Sequence, residues 1–180
     1  NEEERLRPFL WRFWTKTPAN GRIAVFDHSW YRRVLQDRVE KQIKQREWQR
    51  AYEEIAAFER QLADDGTVIV KFFLHISQKE QKKRFKRLEQ SKVTAWKVTK
   101  EDWKQHKQYD VYLEAVEDML AQTDTDFAPW TIIESHDRRF AGIKMFTTVI
   151  NRLEQQLEQV KHLREQAEHR RAKQKKKPTK

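Results

Sequence analysis

The chain has 180 residues, 37% hydrophobic and 37% charged, with 38 Lys and Arg against 28 Asp and Glu for a net charge of +10. That length suits one domain with a real core, and ten Phe, seven Trp and four Tyr are too many aromatic rings for a disordered chain. There is no cysteine, which excludes a disulfide framework, a thiol nucleophile and a cysteine-ligated zinc site, and fits a reducing cytoplasm.

The longest apolar run, residues 68–74, is interrupted by Lys71 and is too short to span a bilayer. The opening residues Asn1-Glu2-Glu3-Glu4-Arg5 do not read as a signal peptide, so no membrane partner is expected. The positive charge is concentrated: residues 169–180 hold seven basic side chains and no acid, and residues 78–104 hold ten basic against four acidic. The remainder is slightly acidic. Such a distribution implies a polyanionic partner rather than a uniformly basic surface.

Three glycines and four prolines are few, so the elements should be long and mostly helical. Residues 3–16 read as an amphipathic helix rich in Phe and Trp, closed by Pro18 and the Asn20-Gly21 turn. Ile23-Ala24-Val25-Phe26 reads as a short buried strand ending at Asp27-His28-Ser29. A helix follows from Trp30 to about Gln45, and another from Glu47 to Asp64 with Trp48, Ile55 and Leu62 on one face. The β-branched and aromatic residues from Thr67 to Ile76 predict a second strand, and Gln78 to Leu88 a strongly charged helix. Thr99 and Asp102 form a capping box for a helix reaching about Thr123. Trp130-Thr131-Ile132-Ile133 is a third strand, and a last helix after His136-Asp137 carries the stripe Phe140, Ile143, Thr147, Ile150, Leu157 and Val160 until the sequence becomes basic. Strands separated by helices imply a parallel α/β sheet with helices on both faces. Ligands bind such sheets at the carboxyl ends of the strands, here the loops Asp27-His28-Ser29, Ser77-Gln78 and Glu134-Ser135-His136-Asp137.

An aspartate directly after an apolar strand is where P-loop nucleotide enzymes keep the carboxylate that holds Mg²⁺ against phosphates, and Asp27 fits. A cap for the following helix is the competing use of Asp27 or Ser29. Arg32, Arg33 and Arg38 follow, with Arg33 four residues beyond Ser29, so part of that helix can face an anion near Asp27. In the charged helix, Lys79, Lys82, Lys83, Arg84, Lys86 and Arg87 outnumber the acids, and Arg84 and Arg87 share a face suited to phosphate oxygens. A solvated surface helix is the plainer alternative. Trp96 and Trp103 can pack under a loop or stack on a base. HExxH, GxSxG and GxxxxGK are all absent, so zinc protease, serine hydrolase and a phosphate-wrapping loop find no support in these residues.

Pro8-Phe9-Leu10-Trp11-Arg12-Phe13-Trp14, then Gly21 through Tyr31, Phe58-Glu59-Arg60-Gln61-Leu62, residues 71–77, Glu80-Gln81 with Arg84-Phe85, Trp96-Lys97 with Glu101-Asp102-Trp103, and Ala128-Pro129-Trp130 together resemble the family-2 polyphosphate kinases, above all the polyphosphate:AMP phosphotransferase branch. The resemblance spans roughly residues 5–155. It implies a P-loop kinase-like parallel sheet with a helical lid, in a domain over 1–168 with the lid at about 78–98 and a basic, disordered tail at 169–180. It implies phosphoryl transfer between inorganic polyphosphate and an adenine or guanine nucleotide in the cytoplasm, with Mg²⁺. Asp27 matches the metal-holding, catalytic aspartate. Arg33 and Arg84 match catalytic arginines, and His28, Arg38, Lys83, Arg87 and Lys97 fall to substrate binding. The family usually has arginine where this chain has His28, a shorter group charged only in part near neutral pH.

The resemblance also places the family's first strand and phosphate loop ahead of Asn1, so the chain reads either as the C-terminal part of a longer protein or as a truncated homologue. A non-catalytic remnant that binds polyphosphate or RNA is the second reading, and a dedicated nucleic-acid binder, resting on net charge alone, is the weakest. Exposed aromatics on the helix around Phe9 to Trp14 would permit a homo-oligomer.

Overall fold

The computed structural model describes residues 6–175, with side chains through residue 170. Its helices are α1 (Trp11–Trp14), α2 (Gln36–Val39), α3 (Gln45–Asp64), α4 (Gln78–Glu89), α5 (Lys100–Lys107), α6 (Tyr109–Thr123) and α7 (Arg138–Lys175), and its strands are β1 (Lys71–His75) and β2 (Trp130–Glu134). Short 3₁₀ turns cover Trp30–Arg33 and Ala95–Lys97. The α/β class is as expected: β1 and β2 pair in parallel, and beyond the ladder the Ser135 N–H donates to the His75 carbonyl at 2.8 Å.

Two compact units are present, residues 6–71 with 76–130 and residues 72–75 with 131–175. In the first, α3 and α2 both pack on α6, and α4 packs on α5 and on the 95–97 turn. Its core contains Val34, Ala51, Ile55, Phe58, Ala115 and Met119, all at most 2% exposed. Aromatic rings seal one end: Trp14 and Trp30 stand edge-on to Phe58 with centroids 4.7 and 4.9 Å away, and Phe13 meets both Trp30 and Phe26. In the second unit, Asp137 caps α7 by accepting from the Arg139 and Phe140 N–H groups, and Lys144 reaches Glu134 at 2.6 Å. The stripe of α7 is largely open, with Ile143, Phe146 and Leu157 each about two-thirds or more exposed. The helix runs through residues 169–175, and the rest of the expected tail, 176–180, lies outside the described residues.

Several local features follow the sequence closely. Helix α3 begins where the Glu47 carboxylate accepts from the Lys44 N–H at 2.9 Å. Ser77 caps α4 by accepting from the Glu80 N–H, and the Thr99–Asp102 capping box forms in both directions. Other expectations need correction. Of the predicted helix over residues 3–16, residues 3–5 lie outside the described residues, and from residue 6 onward only α1 is α-helical, because Pro8 has no N–H to continue it backwards and the Thr15 and Thr17 hydroxyls bond to main-chain carbonyls that would otherwise extend it. The predicted helix from Trp30 breaks into the 3₁₀ turn and α2, ending at Lys41 with φ 56°. The predicted helix from Thr99 divides at Gln108. Residues 23–26 are no strand and are not buried: Ile23 is 81% and Val25 92% exposed. Among the described residues the sheet has two strands, and a segment without a laddered neighbour cannot become a third.

Phe58 supports both Trp14 and Trp30, so Phe58→Ala should lower stability by about 3–5 kcal/mol. A shift of the denaturant midpoint with an unchanged slope would show it.

Candidate functional site

The site is built on one buried carboxylate. Glu59, on the inner face of α3 and 0% exposed, accepts at Oε1 from the Trp30 indole N–H (2.9 Å) and the Tyr31 hydroxyl (2.7 Å), and at Oε2 from the Lys71 ammonium (2.8 Å). Lys71, at the start of β1 and 5% exposed, also donates to the Tyr31 oxygen (2.9 Å) and the Thr123 carbonyl (2.7 Å), so all three of its protons are used. Its ammonium lies 5.0 Å from the centre of the Trp130 ring. Burial pushes Lys71 below the ordinary lysine pKa, against the pull of Glu59. Burial and the Glu59 charge push Tyr31 well above the tyrosine range, fixing it as a neutral donor. A buried ion pair with every partner satisfied is tolerable, whereas one that loses a member is not.

This network holds the 3₁₀ turn, and the turn follows the loop Asp27-His28-Ser29. On the other flank, Phe26 packs against Phe13 and Trp30 with centroids 6.1 and 5.5 Å apart. Between these anchors the loop projects to solvent: the Asp27 side chain is 93% and the His28 side chain 79% exposed, with His28 Nδ1 3.0 Å from Asp27 Oδ1. His28 has φ 50°, a left-handed conformation uncommon outside glycine.

The arginines of the following segment are held by acids. Arg33 reaches Glu47 Oε1 at 3.3 Å and lies over the Phe9 ring, while its Nε is buried and donates to no protein acceptor. The Lys44 backbone N–H, with Arg33 adding charge, holds the Glu47 carboxyl below its usual range. Arg38 bonds Asp118 at 2.7 Å and the Tyr52 hydroxyl at 3.0 Å, and covers the Trp48 ring at 4.1 Å. Burial works against its charge, but Asp118 and Tyr52 raise its pKa above that of a free arginine. Arg38 is therefore built into the α2–α3–α6 packing.

Helix α4 presents two different faces. Toward α5, Phe85 meets Trp103 and His106 at 5.2 and 6.0 Å, and His106 Nδ1 lies 2.6 Å from Gln81 Oε1. The Trp103 indole N–H reaches Glu89. Arg84, only 18% exposed, bonds Glu80 at 2.9 Å within the helix, with Lys83 more loosely against the same carboxylate at 3.9 Å. Outward, Lys79, Lys82, Lys83, Lys86 and Arg87 line one shallow open groove with Gln90. Beyond α4, Trp96 is 73% exposed with its N–H tied to the Val93 carbonyl, and Lys97 stands 5.5 Å from the centre of its ring.

The sequence profile of the polyphosphate kinase 2 family matches residues 1–161. The chain belongs to that family. It is 44% identical over 153 residues to the polyphosphate:AMP phosphotransferase of Pseudomonas aeruginosa, covering 85% of this chain and 31% of that protein. An AMP/ADP-polyphosphate phosphotransferase of Meiothermus ruber is 39% identical over 135 residues, covering 75% of this chain and 51% of the other. A crystal structure of a polyphosphate kinase 2 from Pseudomonas aeruginosa superposes with a TM-score of 0.85 at 43% identity, over 88% of this chain and 34% of that one. The chain thus spans about a third of the length of its Pseudomonas relative. The resemblance to the polyphosphate:AMP phosphotransferase branch is borne out, and with it a polyphosphate-dependent nucleotide kinase family.

Glu59 and Lys71 were not among the expected site residues. Each carries a sequence signal: Glu59 follows Ile55 by one helical turn on the apolar face of α3, and Lys71 interrupts an otherwise apolar strand. Lys71→Met, which strands the Glu59 charge, should destabilise by about 3–5 kcal/mol. Adding Glu59→Gln should recover much of that loss in equilibrium unfolding, because the amide oxygen still accepts from Trp30 and Tyr31.

Proposed function

We propose that this chain supplies the metal-holding aspartate and the lid of a cytoplasmic phosphotransferase that moves a phosphoryl group between inorganic polyphosphate and a nucleoside mono- or diphosphate. The observation that carries the proposal is the Asp27-His28 loop, its side chains open to solvent between the half-buried Phe26 and the buried Trp30-Tyr31 pair, in a family member that also carries an outward groove of five cations on α4. The relatives' names point to AMP and ADP as acceptors.

Phosphoryl transfer needs little covalent chemistry from the protein; it needs positioning and neutralised charge. The acceptor's phosphate oxygen attacks the terminal phosphorus of the chain. The bond to the next phosphate breaks in line, and the polyphosphate leaves one unit shorter. The cations of α4 gather the donor by long-range attraction and are free to reorient because most are exposed. Arg33 and Arg84 are the arginines we assign to the transferring group, while His28, Lys83, Arg87 and Lys97 contact the remaining phosphates. Arg38, bound to Asp118 and Tyr52, acts by keeping α2 in place.

Mg²⁺ usually binds through one or two carboxylates together with substrate phosphates. Asp27 fits that pattern: it is an exposed single carboxylate, and no group of three metal-ligating side chains exists among the described residues. Asp27 would hold the ion, which when bound neutralises phosphate charge.

In the full-length protein, Asp27→Asn should lower kcat for ADP formation from AMP and polyphosphate by about a hundredfold or more. Unchanged turnover would remove Asp27 from the site. Replacing Lys82, Lys83, Lys86 and Arg87 together by Gln should raise KM for polyphosphate and flatten its salt dependence while leaving KM for AMP near wild type. A salt profile identical to wild type would show that this face does not meet the donor.

A further inference from the structure

We propose that Glu59 is a positioning residue for phosphoryl transfer, acting through its acceptor oxygen on Trp30 and Tyr31 rather than through its charge. The inference rests on the function proposed above. A single oxygen, Oε1, takes both donors from consecutive residues of the 3₁₀ turn, at 2.9 and 2.7 Å. Two directional bonds converging on one atom fix the rotation of the turn as well as its place, and packing of the two rings alone would leave that rotation softer. The turn begins three residues after Asp27 and ends at Arg33.

His28 makes the coupling sensitive. Its φ of 50° is a conformation that a non-glycine residue keeps only when its surroundings impose it. Two anchors impose it here, Phe26 within the aromatic cluster and Trp30-Tyr31 on Glu59. Loss of the second lets the loop relax to negative φ and carries the Asp27 carboxylate out of place. Lys71 fills Oε2 and donates to the Tyr31 oxygen, offsetting the buried charge of the carboxylate. The charge of the pair is dispensable in this scheme, because a neutral amide oxygen at position 59 offers the same acceptor.

Two double variants of the full-length protein separate acceptor from charge. Both Glu59→Gln/Lys71→Met and Glu59→Leu/Lys71→Met delete the ion pair, and only the first retains an oxygen for Trp30 and Tyr31. With AMP, polyphosphate and Mg²⁺, the Gln variant should keep kcat within about threefold of wild type. The Leu variant should lose about tenfold or more in kcat, with KM for both substrates little changed, as misplacement by a fraction of an ångström does. Hydrogen exchange gives a readout independent of turnover: the Arg32, Val34 and Leu35 amides, bonded to Ser29 and Tyr31 carbonyls, should exchange about tenfold faster in the Leu variant only, while amides around Ile55 in α3 keep their protection.

Equal kcat and equal exchange in the two variants would overturn the inference. Should the Leu variant fail to fold, Tyr31→Phe decides: it keeps the Glu59–Lys71 pair and the ring, and an unchanged kcat and exchange pattern there would overturn the inference equally. A wild-type protein that makes no ADP from polyphosphate would instead refute the proposed reaction, and the exchange comparison would still show whether the acceptor oxygen sets the turn.

Discussion

The hydrogen-bond network centred on the Glu59 carboxylate is the constraint on which the first compact unit depends. It joins the middle of α3, the first residue of β1, the end of α6 through Thr123, and the turn after Asp27. Burying two charges is costly, and the Coulombic attraction offsets that cost only with good geometry and full hydrogen bonding. Here every proton of the ammonium has an acceptor and both carboxylate oxygens have donors. The result is a rigid post in a region whose outer surface, the Asp27-His28 loop, is open to solvent. Rigidity inside and exposure outside suits the ligand proposed for it, a long, highly charged polymer.

The basic surface has a division of labour that net charge alone hides. Arg33 and Arg38 are bound to Glu47 and Asp118, and Arg84 to Glu80, so these guanidiniums are oriented before any substrate arrives. Lys79, Lys82, Lys83, Lys86 and Arg87 instead form an open row. Oriented arginines suit discrimination and bidentate contact, whereas mobile lysines suit attraction without geometric demand. The proposed donor, polyphosphate, is uniform along its length and would ask little more than the second from most of such a surface.

What could be read from the sequence was whatever depends on nearby residues. The apolar face of α3, the Ser77 cap of α4 and the Thr99–Asp102 box all form, because their partners lie within one helical turn. Ile23–Phe26 misled for the opposite reason: strand formation depends on a neighbour elsewhere in the chain, and only Phe26 of that run finds cover. The helix expected from Trp30 breaks because Trp30 and Tyr31 must both face a carboxylate about thirty residues later, which a 3₁₀ turn allows. Arg38 could be recognised as a candidate, but its partner Asp118 is eighty residues away and local pattern gives no hint of it. The α4 cluster was visible as charge, and the structure added which of its cations are tied.

In the proposed site the buried network presents Asp27 as the point where metal and phosphate meet. Crystals of the full-length protein grown with polyphosphate and Mn²⁺ in place of Mg²⁺ would test it most directly through anomalous scattering. A manganese peak against the Asp27 carboxylate, with the Trp30 and Tyr31 bonds to Glu59 intact, is the expected result. A peak held by other side chains, with none at Asp27, would contradict it.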